Sequence, residues 1–137
     1  MKKIIEEHLK ITSDPMRPNS KDYIYYIFSD FIEMHGDRLF GDDLSIVTGI
    51  GLLDDIPVTI IGQNRGKNFK EQLKYHYSMN YPEGYRKALR AVKQAEKFKR
   101  PTICFVDTFG AYPGKDAEER GQSNAIATIL MEMMYVK

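Results

Sequence analysis

Apolar residues recur every three or four positions in several stretches of the chain, and each of these stretches predicts a helix. The first extends from Ile4 to Ile11 and is followed by segments that contain proline and break the helix. The second begins at Lys21 behind Ser20 as its N-cap, and Gly36 is placed to end it. Its predicted buried stripe consists of Ile24, Ile27, Phe28 and Phe31.

Two further helices are predicted in the second half of the chain. One has Pro82 in its first turn, where Asn80 and Glu83 have the spacing of a capping box. Its buried face is predicted to consist of Tyr85, Ala88, Leu89, Val92 and Ala95. The other has Asp116 and Glu119 at capping spacing and continues into an apolar face. That face consists of Ile126, Ile129, Leu130 and Met133. We expect the methionines Met131, Met133 and Met134 in the core.

Runs rich in Val and Ile predict three strands between these helices, and therefore an α/β fold. Leu44–Leu53 and Pro57–Gly62 are separated by the turn Asp54-Asp55, which predicts a hairpin. A third strand, Thr102–Val106, follows the third helix. A strand, a helix and a strand in this order predict a right-handed crossover between parallel strands. The connection Gln63–Tyr81 is too long to lack structure of its own.

Composition narrows the class of protein. The 137 residues suffice for one domain with a core, and 20 basic against 19 acidic residues give a net charge of +1. That balance does not favour a general nucleic-acid binder or a chain drawn to acidic membranes. The single cysteine, Cys104, excludes an internal disulfide and is expected to be buried in its strand. Because no run is as apolar as a membrane helix or a signal peptide, we expect a cytoplasmic protein.

The segment Asp107–Gly114, with the sequence Asp-Thr-Phe-Gly-Ala-Tyr-Pro-Gly, carries the most informative chemical signal. It lies between a predicted strand and a predicted helix, and its two glycines and one proline indicate a rigid turn with exposed backbone. Peptide N–H groups at such a turn are suited to stabilise a developing oxyanion. Since the segment contains no Ser, Cys or His, we expect the backbone itself to act as the catalyst.

Other candidate motifs are weaker. The glycine-containing run at 62–67 is one residue short of a P-loop, and Asn68 stands where Ser or Thr would bind magnesium, which argues against a Walker site. Arg65 and Lys67 are either contacts for a phosphate or carboxylate or members of a solvated basic loop. The three histidines do not have the spacing of metal ligands: His8, His35 and His76.

Taken together, these segments resemble the alpha subunit of the bacterial acetyl-coenzyme A carboxylase carboxyltransferase. The resemblance extends from about Arg17 to Met134. Its most specific parts are Pro-Glu-Gly-Tyr-Arg-Lys-Ala at 82–88 and Gly-Ala-Tyr-Pro-Gly at 110–114. Further matching segments are Arg17-Pro18, His35-Gly36-Asp37-Arg38, Arg65-Gly66-Lys67 and Glu118-Glu119-Arg120-Gly121-Gln122-Ser123.

The resemblance implies a crotonase-like (ClpP/crotonase) spiral of ββα units, incomplete at its C-terminus. Residues 1–19 would form an N-terminal arm, and residues 20–137 the N-terminal portion of the carboxyltransferase domain. The implied reaction transfers a carboxyl group from carboxybiotin on a separate carrier protein to acetyl-coenzyme A. Its product is malonyl-coenzyme A, and the step is the first committed one of fatty acid biosynthesis.

The resemblance also implies site residues and partners. Gly110, Ala111 and Gly114 would supply backbone donors to an enolate or to the biotin ureido oxygen, and Arg65, Lys67 and Tyr112 would contact biotin or the coenzyme. The implied partners are a zinc-bearing beta subunit and the biotin carboxyl carrier protein, in an alpha2beta2 hetero-oligomer. No metal in this chain, no specific nucleic acid and no membrane are expected.

Two alternatives stay open on the sequence. The family usually has a second glycine-rich oxyanion segment on the next strand, which we expect to be missing here. Without it the chain is either part of an active enzyme or an inactive truncated module that serves assembly. The second alternative is a related biotin-dependent acyl-coenzyme A decarboxylase or transcarboxylase subunit.

Overall fold

The computed structural model describes residues 2–136. The chain forms six helices, six strands and one 3-10 turn within these residues. In chain order they are α1 (Lys2–Ser13), α2 (Ser20–Ile27), β1 (Ser29–Met34), β2 (Ile46–Leu53), β3 (Ile56–Gln63), α3 (Phe69–Lys74), the 3-10 turn (His76–Ser78), β4 (Met79–Asn80), α4 (Pro82–Lys97), β5 (Thr102–Phe105), β6 (Gly110–Ala111), α5 (Lys115–Glu119) and α6 (Gln122–Met133).

The main sheet has four strands in the order β1-β2-β3-β5. Strands β2 and β3 form the predicted hairpin, with register from Ile46 opposite Gln63 to Leu53 opposite Ile56. Asp54 and Asp55 turn the chain with φ values of 47° and 66°, as a two-residue hairpin loop requires. Strand β5 pairs with β3 in parallel, which confirms the parallel arrangement expected of the strand–helix–strand segment.

The second predicted helix is only half correct. It ends at Ile27 and not at Gly36, and residues 29–34 form β1, which pairs antiparallel with β2. Phe28 already has the extended backbone angles φ −106° and ψ 134°. The helical spacing of Phe31 is therefore coincidental, because pairing with β2 overrides the local preference.

The cap of α2 also differs by one residue from the prediction. Asn19 is the N-cap and forms a capping box with Asp22, while Ser20 is the first helical residue. The Asp22 N–H donates to Asn19 Oδ1 at 3.1 Å, and the Asn19 N–H donates to Asp22 Oδ2 at 2.8 Å. The hydroxyl of Ser20 instead donates to the Gln63 carbonyl at 2.5 Å, so it ties the helix to the end of β3.

The core has two parts, one on each face of the main sheet. Side chains of α2 pack on one face, in a cluster of Ile24, Phe28, Val47, Val58 and Ile60. Side chains of α4 pack on the other, in a cluster of Ile46, Ile61, Ala88, Ala91 and Val92. Because successive side chains of a strand point to opposite faces, β3 contributes to both clusters. The sheet is thus held between two helical layers.

Helix α4 begins at Pro82 as predicted, but Asn80 does not cap it. The N-cap is Tyr81, which makes no side-chain cap hydrogen bond. On the predicted face Ala88, Val92 and Ala95 are buried, whereas Tyr85 and Leu89 are only half-buried. The amide of Asn80 is engaged elsewhere, as described below.

The last predicted helix is two helices, α5 and α6, with Gly121 between them at φ +83°. Neither Asp116 nor Glu119 caps a helix, because the N-cap of α5 is Gly114 and that of α6 is Gly121.

The core placement of several residues near the end of the chain is wrong. Met131, Met133 and Met134 are exposed, as are Leu130 and Cys104. Within residues 2–136, β5 has a neighbouring strand on one side only, and α6 contacts chiefly α4. Periodicity alone does not reveal which face finds a covering layer.

The long connection after β3 contains α3, the 3-10 turn and β4. Strand β4 pairs in parallel with β6 in a separate two-stranded sheet, with Met79 opposite Gly110 and Asn80 opposite Ala111. This small sheet brings the segment Asp107–Gly114 next to residues that lie about thirty positions earlier in the sequence.

Candidate functional site

The predicted oxyanion turn is built around β6. The N–H of Tyr112, the residue after β6, donates to the Asn80 carbonyl of β4 at 3.0 Å. Backbone N–H groups of successive strand residues point to opposite edges. The N–H of Ala111 therefore points away from β4, as a donor to a bound oxyanion must.

Gly110 has a different role in this geometry. Its N–H donates to Thr108 Oγ1 at 2.9 Å, and Thr108 Oγ1 in turn donates to the Ser78 carbonyl at 2.5 Å. The φ of Gly110 is +135°, a value that residues with a side chain rarely adopt. Gly110 thus shapes the turn, and its N–H is engaged within it.

Gly114 ends the turn as the N-cap of α5. Its carbonyl accepts the N–H groups of Ala117 and Glu118 at 3.0 and 3.2 Å. A Cβ atom at this position would lie 2.3 Å from the ring of Tyr112 and 2.5 Å from Asp116 Oδ1. Glycine is required here because the Tyr112 ring lies directly against the backbone.

A relay of neutral amides connects the strand ends beneath the turn. The Asp107 N–H donates to Gln63 Oε1 at 2.9 Å, and Gln63 Nε2 donates to Asn80 Oδ1 at 2.7 Å. Asn80 Nδ2 then donates to Ser45 Oγ at 2.7 Å, and Asn80 is completely buried. The ends of β3 and β5 are thereby joined to the start of β2 through Asn80.

Gln122, the first residue of α6, lies where the pairing of β4 and β6 ends. Its Nε2 donates to the carbonyls of both Asn80 and Tyr112, at 2.8 and 3.0 Å. Only 2% of Gln122 is exposed. Sequence reasoning missed Gln63 and Gln122 as site residues and assigned Asn80 to a helix cap; their one visible signal is an amide beside an apolar run.

Aromatic side chains form a wall beside the turn. The ring of Tyr112 stacks on Tyr81 with centroids 4.3 Å apart and planes inclined by 24°. His76 meets Tyr81 edge-on at 4.6 Å. Burial raises the pKa of Tyr81, and the hydrogen bond with the Tyr112 hydroxyl and the charge of Asp116 add to the shift. Tyr112, the residue after Ala111, therefore forms part of this aromatic wall.

Arg120 packs against the Tyr81 ring of this aromatic wall. Its guanidinium lies 5.1 Å from the centroid of the Tyr81 ring and 4.7 Å from that of Phe40. Its Nε donates to Glu83 Oε1 at 2.8 Å, and this hydrogen bond is the main reason that the pKa of Arg120 is raised. Glu83 also accepts from Arg86 Nη2 at 3.2 Å, so one buried carboxylate holds two arginines.

Arg86 of α4 also anchors the loop before β2. Asp37 Oδ1 accepts the N–H groups of Leu39, Phe40 and Gly41 at 3.0, 2.8 and 2.9 Å. Asp37 Oδ2 accepts Arg86 Nε at 2.7 Å. Burial opposes ionisation of Asp37, but these donors outweigh it and lower its pKa to about 2.

The two predicted basic contacts separate in the structure. Arg65 lies over the Phe109 ring, 4.9 Å from its centroid, and Nη1 donates to the Thr12 carbonyl. Arg65, Phe109 and four neighbours line a cavity of about 250 Å³ at the turn. Lys67 instead pairs with Asp22 of α2 through a 2.6 Å contact. Of the two, Arg65 is the one that reaches the turn.

The start of the turn is tied to the segment between α1 and α2. Arg17 Nη2 donates to both carboxylate oxygens of Asp107, at 2.8 and 2.7 Å. Such a charge-assisted contact fixes Asp107 at the end of β5.

Residues 2–136 contain no group of three or more His, Cys, Asp or Glu side chains that could hold a metal ion. None of the helices in this part of the chain is both long and apolar enough to span a bilayer.

Comparison with known proteins decides the family. The model of the acetyl co-enzyme A carboxylase carboxyltransferase-like family matches residues 4–137. The chain belongs to this family. The family resemblance inferred from the sequence motifs is therefore confirmed.

Curated relatives in this carboxyltransferase-like family have a longer chain. The acetyl-coenzyme A carboxylase carboxyl transferase subunit alpha of Shouchella clausii is 60% identical over 131 residues, which cover 96% of this chain and 40% of that protein. The protein of the same name from Geobacillus kaustophilus is 60% identical over 127 residues, covering 93% of this chain and 39% of that one. The chain thus spans about 40% of the length of these relatives.

Solved structures support the crotonase-like fold of this carboxyltransferase-like chain. A transcarboxylase 12S structure superimposes with a TM-score of 0.71 at 21% identity, over 95% of this chain and 24% of that one. A single-chain, multi-domain long-chain acyl-CoA carboxylase gives a TM-score of 0.70 at 18% identity, over 98% of this chain and 15% of that one. The predicted fold class is confirmed.

Proposed function

We propose that this chain is part of a carboxyltransferase alpha subunit that transfers a carboxyl group from carboxybiotin to acetyl-coenzyme A. The product is malonyl-coenzyme A, and the reaction is the first committed step of fatty acid biosynthesis. The observation that carries the proposal is the outward-facing N–H of Ala111, in a turn that contains no Ser, Cys or His. The names of the curated relatives support the same assignment.

The turn is suited to hold negative charge on the acetyl thioester. The thioester would lose a proton from its methyl group to the biotin nitrogen that is freed when the carboxyl group leaves as CO2. Negative charge would then accumulate on the thioester carbonyl oxygen, and the Ala111 N–H is the donor proposed to stabilise it. One such backbone or side-chain donor changes kcat by about 10²–10³-fold in well-studied enzymes. Carboxybiotin, when bound, supplies the carboxyl group. Gly110 and Gly114 would then shape the turn, and Gly114 remains a further candidate donor at the start of α5.

The neighbouring side chains have proposed binding roles. The flat wall of Tyr81 and Tyr112 suits a planar ring such as the biotin ureido group. Arg65, which lies at the cavity beside the turn, suits a phosphate of the coenzyme. Lys67 is a weaker candidate, because Asp22 already neutralises its charge.

The proposal includes partners that complete the site. A zinc-bearing beta subunit and a biotin carboxyl carrier protein are the proposed partners, in an alpha2beta2 assembly in the cytoplasm. Residues 1–19 would be an N-terminal arm and residues 20–137 the first portion of the carboxyltransferase domain. A second glycine-rich oxyanion segment would come from outside these residues.

The test is a carboxyl-transfer assay with carboxybiotin, acetyl-coenzyme A, a matching beta subunit and the alpha chain extended to the length of its relatives. We expect malonyl-coenzyme A from this assembly. Replacing Ala111 by proline removes the outward N–H while the β4–β6 hydrogen bonds stay, since proline is tolerated where an edge-strand N–H faces outward. We expect kcat to fall about 10²–10³-fold.

The matched control is Ala111→Gly, which keeps the N–H and also removes the side chain. It should retain kcat within about threefold. Equal losses in the proline and glycine variants would show that the backbone donor is not what matters. Absence of malonyl-coenzyme A from the wild-type assembly, or a clear preference for larger acyl thioesters in competition, would overturn the assigned reaction.

A further inference from the structure

The amide of Gln122 lies between two backbone carbonyls at the edge of β6. Its Nε2 donates to the Asn80 carbonyl at 2.8 Å and to the Tyr112 carbonyl at 3.0 Å. A primary amide nitrogen has two hydrogens, so one is available for each carbonyl. The Asn80 carbonyl also accepts the Tyr112 N–H at 3.0 Å. Tyr112 is thereby held at both its N–H and its carbonyl.

Holding Tyr112 in this way fixes the direction of the preceding peptide. Strand β6 has only two residues and pairs with a β4 that has only two, so its ladder is too short to define an orientation alone. The additional bond from Gln122 supplies the missing constraint. The N–H of Ala111, one residue before Tyr112, then keeps its direction away from β4.

Gln122 is buried, and its amide is used as a hydrogen-bond donor. Gln122 is 2% exposed, and its Oε1 has no hydrogen-bond partner among the residues that the structure describes. The donor end of the side chain is thus the end that is used. The buried carbonyl of Asn80 and the partly buried carbonyl of Tyr112 would each lose a hydrogen bond if this donor were removed, and such a loss is costly away from the surface.

We propose that Gln122 is a positioning residue that sets the direction of the Ala111 N–H through the Tyr112 peptide. The inference rests on the proposed function, because it assigns Ala111 as the donor. It adds a residue of α6, which does not touch the substrate, to the machinery of the site.

The test uses Gln122→Met in the extended alpha chain with its beta subunit. Methionine keeps the size and burial of the side chain but cannot donate. We expect kcat to fall about 10- to 100-fold, less than for outright removal of an oxyanion donor, while KM for acetyl-coenzyme A changes less than about twofold. Amide hydrogen exchange of the peptide that contains residues 108–114 should accelerate at least about tenfold.

Asn124→Asp and Gln122→Glu form a matched pair of amide-to-carboxylate changes on one helix. Asn124 is exposed, so its substitution should leave kcat and exchange unchanged within about twofold. Gln122→Glu sets a carboxylate against two carbonyls and should lose at least as much kcat as Gln122→Met. If Gln122→Met does not fold, Gln122→Asn replaces it, because this variant keeps the amide but shortens its reach. We then expect a smaller fall in kcat and a smaller acceleration of hydrogen exchange.

The inference is overturned if the Gln122 variants keep wild-type kcat and exchange, or if they lose kcat no more than Asn124→Asp does. It is also overturned if exchange at 108–114 stays slow while kcat falls. The result that overturns this inference differs from the result that overturns the proposed function. A wild-type assembly that forms no malonyl-coenzyme A refutes the reaction, and the hydrogen-exchange measurement still decides whether Gln122 holds the turn.

Discussion

Asn80 is the residue at which most hydrogen bonds of the site meet. Its side chain accepts from Gln63 and donates to Ser45, and its carbonyl accepts from Tyr112 and Gln122. Each of these contacts joins a different part of the chain, so a single buried amide aligns several strand ends. The sequence pattern suggested a helix cap at this position, because Asn and Glu three residues apart have the spacing of a capping box. The spacing of residues identifies a possible local hydrogen-bond partner. It does not reveal the distant partners that Asn80 contacts in the folded chain.

A second residue-scale consequence concerns Gly110. A Cβ atom there would meet no heavy atom within 4 Å, so any cost of a side chain comes from the backbone angle of +135°. We expect Gly110→Ala to lower the free energy of unfolding by about 1–3 kcal/mol. Urea denaturation measures this change.

Gly41→Ala is the control for that prediction. Gly41 also has open space around its Cβ position, and its φ is not in the positive range. This variant should lose less than about 1 kcal/mol. Equal losses in the two variants would show that φ at Gly110 carries no special cost.

At the scale of elements, the loop before β2 is held to α4 by charge. Asp37 accepts three loop N–H groups and the guanidinium of Arg86, and Arg86 shares Glu83 with Arg120. The N-terminal half of α4 is therefore a buried polar surface as well as an apolar one. Helical periodicity predicted α4 and part of its apolar face, but charged residues on a helix are usually assigned to solvent, and their burial here follows from partners far along the chain.

This arrangement predicts how stability depends on pH. Because the folded-state pKa of Asp37 is lowered to about 2, its stabilisation is fully present above the ordinary pKa near 3.8. The stabilisation is lost as pH falls from about 4 to 2. Asp37→Asn should therefore cost about 1–3 kcal/mol of unfolding free energy at pH 7, and the difference from wild type should shrink over that acidic range.

Asp55→Asn is the matched control, since Asp55 is exposed in the hairpin turn and Asn tolerates its positive φ. We expect a change below about 0.5 kcal/mol, with no effect on the acid limb. A gap between Asp37→Asn and wild type that stays constant from pH 7 to pH 2 would contradict the assigned ionisation. Urea midpoints at a series of pH values provide the measurement.

At the scale of the whole molecule, the described chain leaves an apolar groove open between α4, α6 and β5. Exposed or half-buried residues that line it include Tyr85, Cys104, Val106, Leu130 and Met133. Contiguous apolar surface of this kind promotes association in solution. The curated relatives are about two and a half times longer, so their chains have further residues available to cover such a surface.

We expect the 137-residue chain to self-associate through this groove. Leu130→Lys combined with Met133→Lys should shift the chain toward monomer in analytical ultracentrifugation, with less than about 1 kcal/mol lost, because both side chains are exposed. Met16→Lys introduces one positive charge at a residue outside the groove that is 84% exposed, and it should leave association unchanged. Association that persists in the double variant would assign it to another surface.

The amino-acid sequence by itself determined the hairpin, the start of α4, the parallel strand after it and the turn rich in backbone donors. These features depend on neighbours in the chain, such as proline at a helix start, two aspartates between strands and glycines after a strand, and local chemistry is enough to predict them. Only the tertiary structure decided that residues 29–34 are a strand and that the Gly110 N–H is engaged by Thr108 within the turn. It also decided that Asn80 and Gln122 hold Tyr112 through hydrogen bonds. Each of those outcomes depends on a hydrogen-bond partner from a distant part of the chain, and a partner of that kind leaves no periodic trace in the sequence.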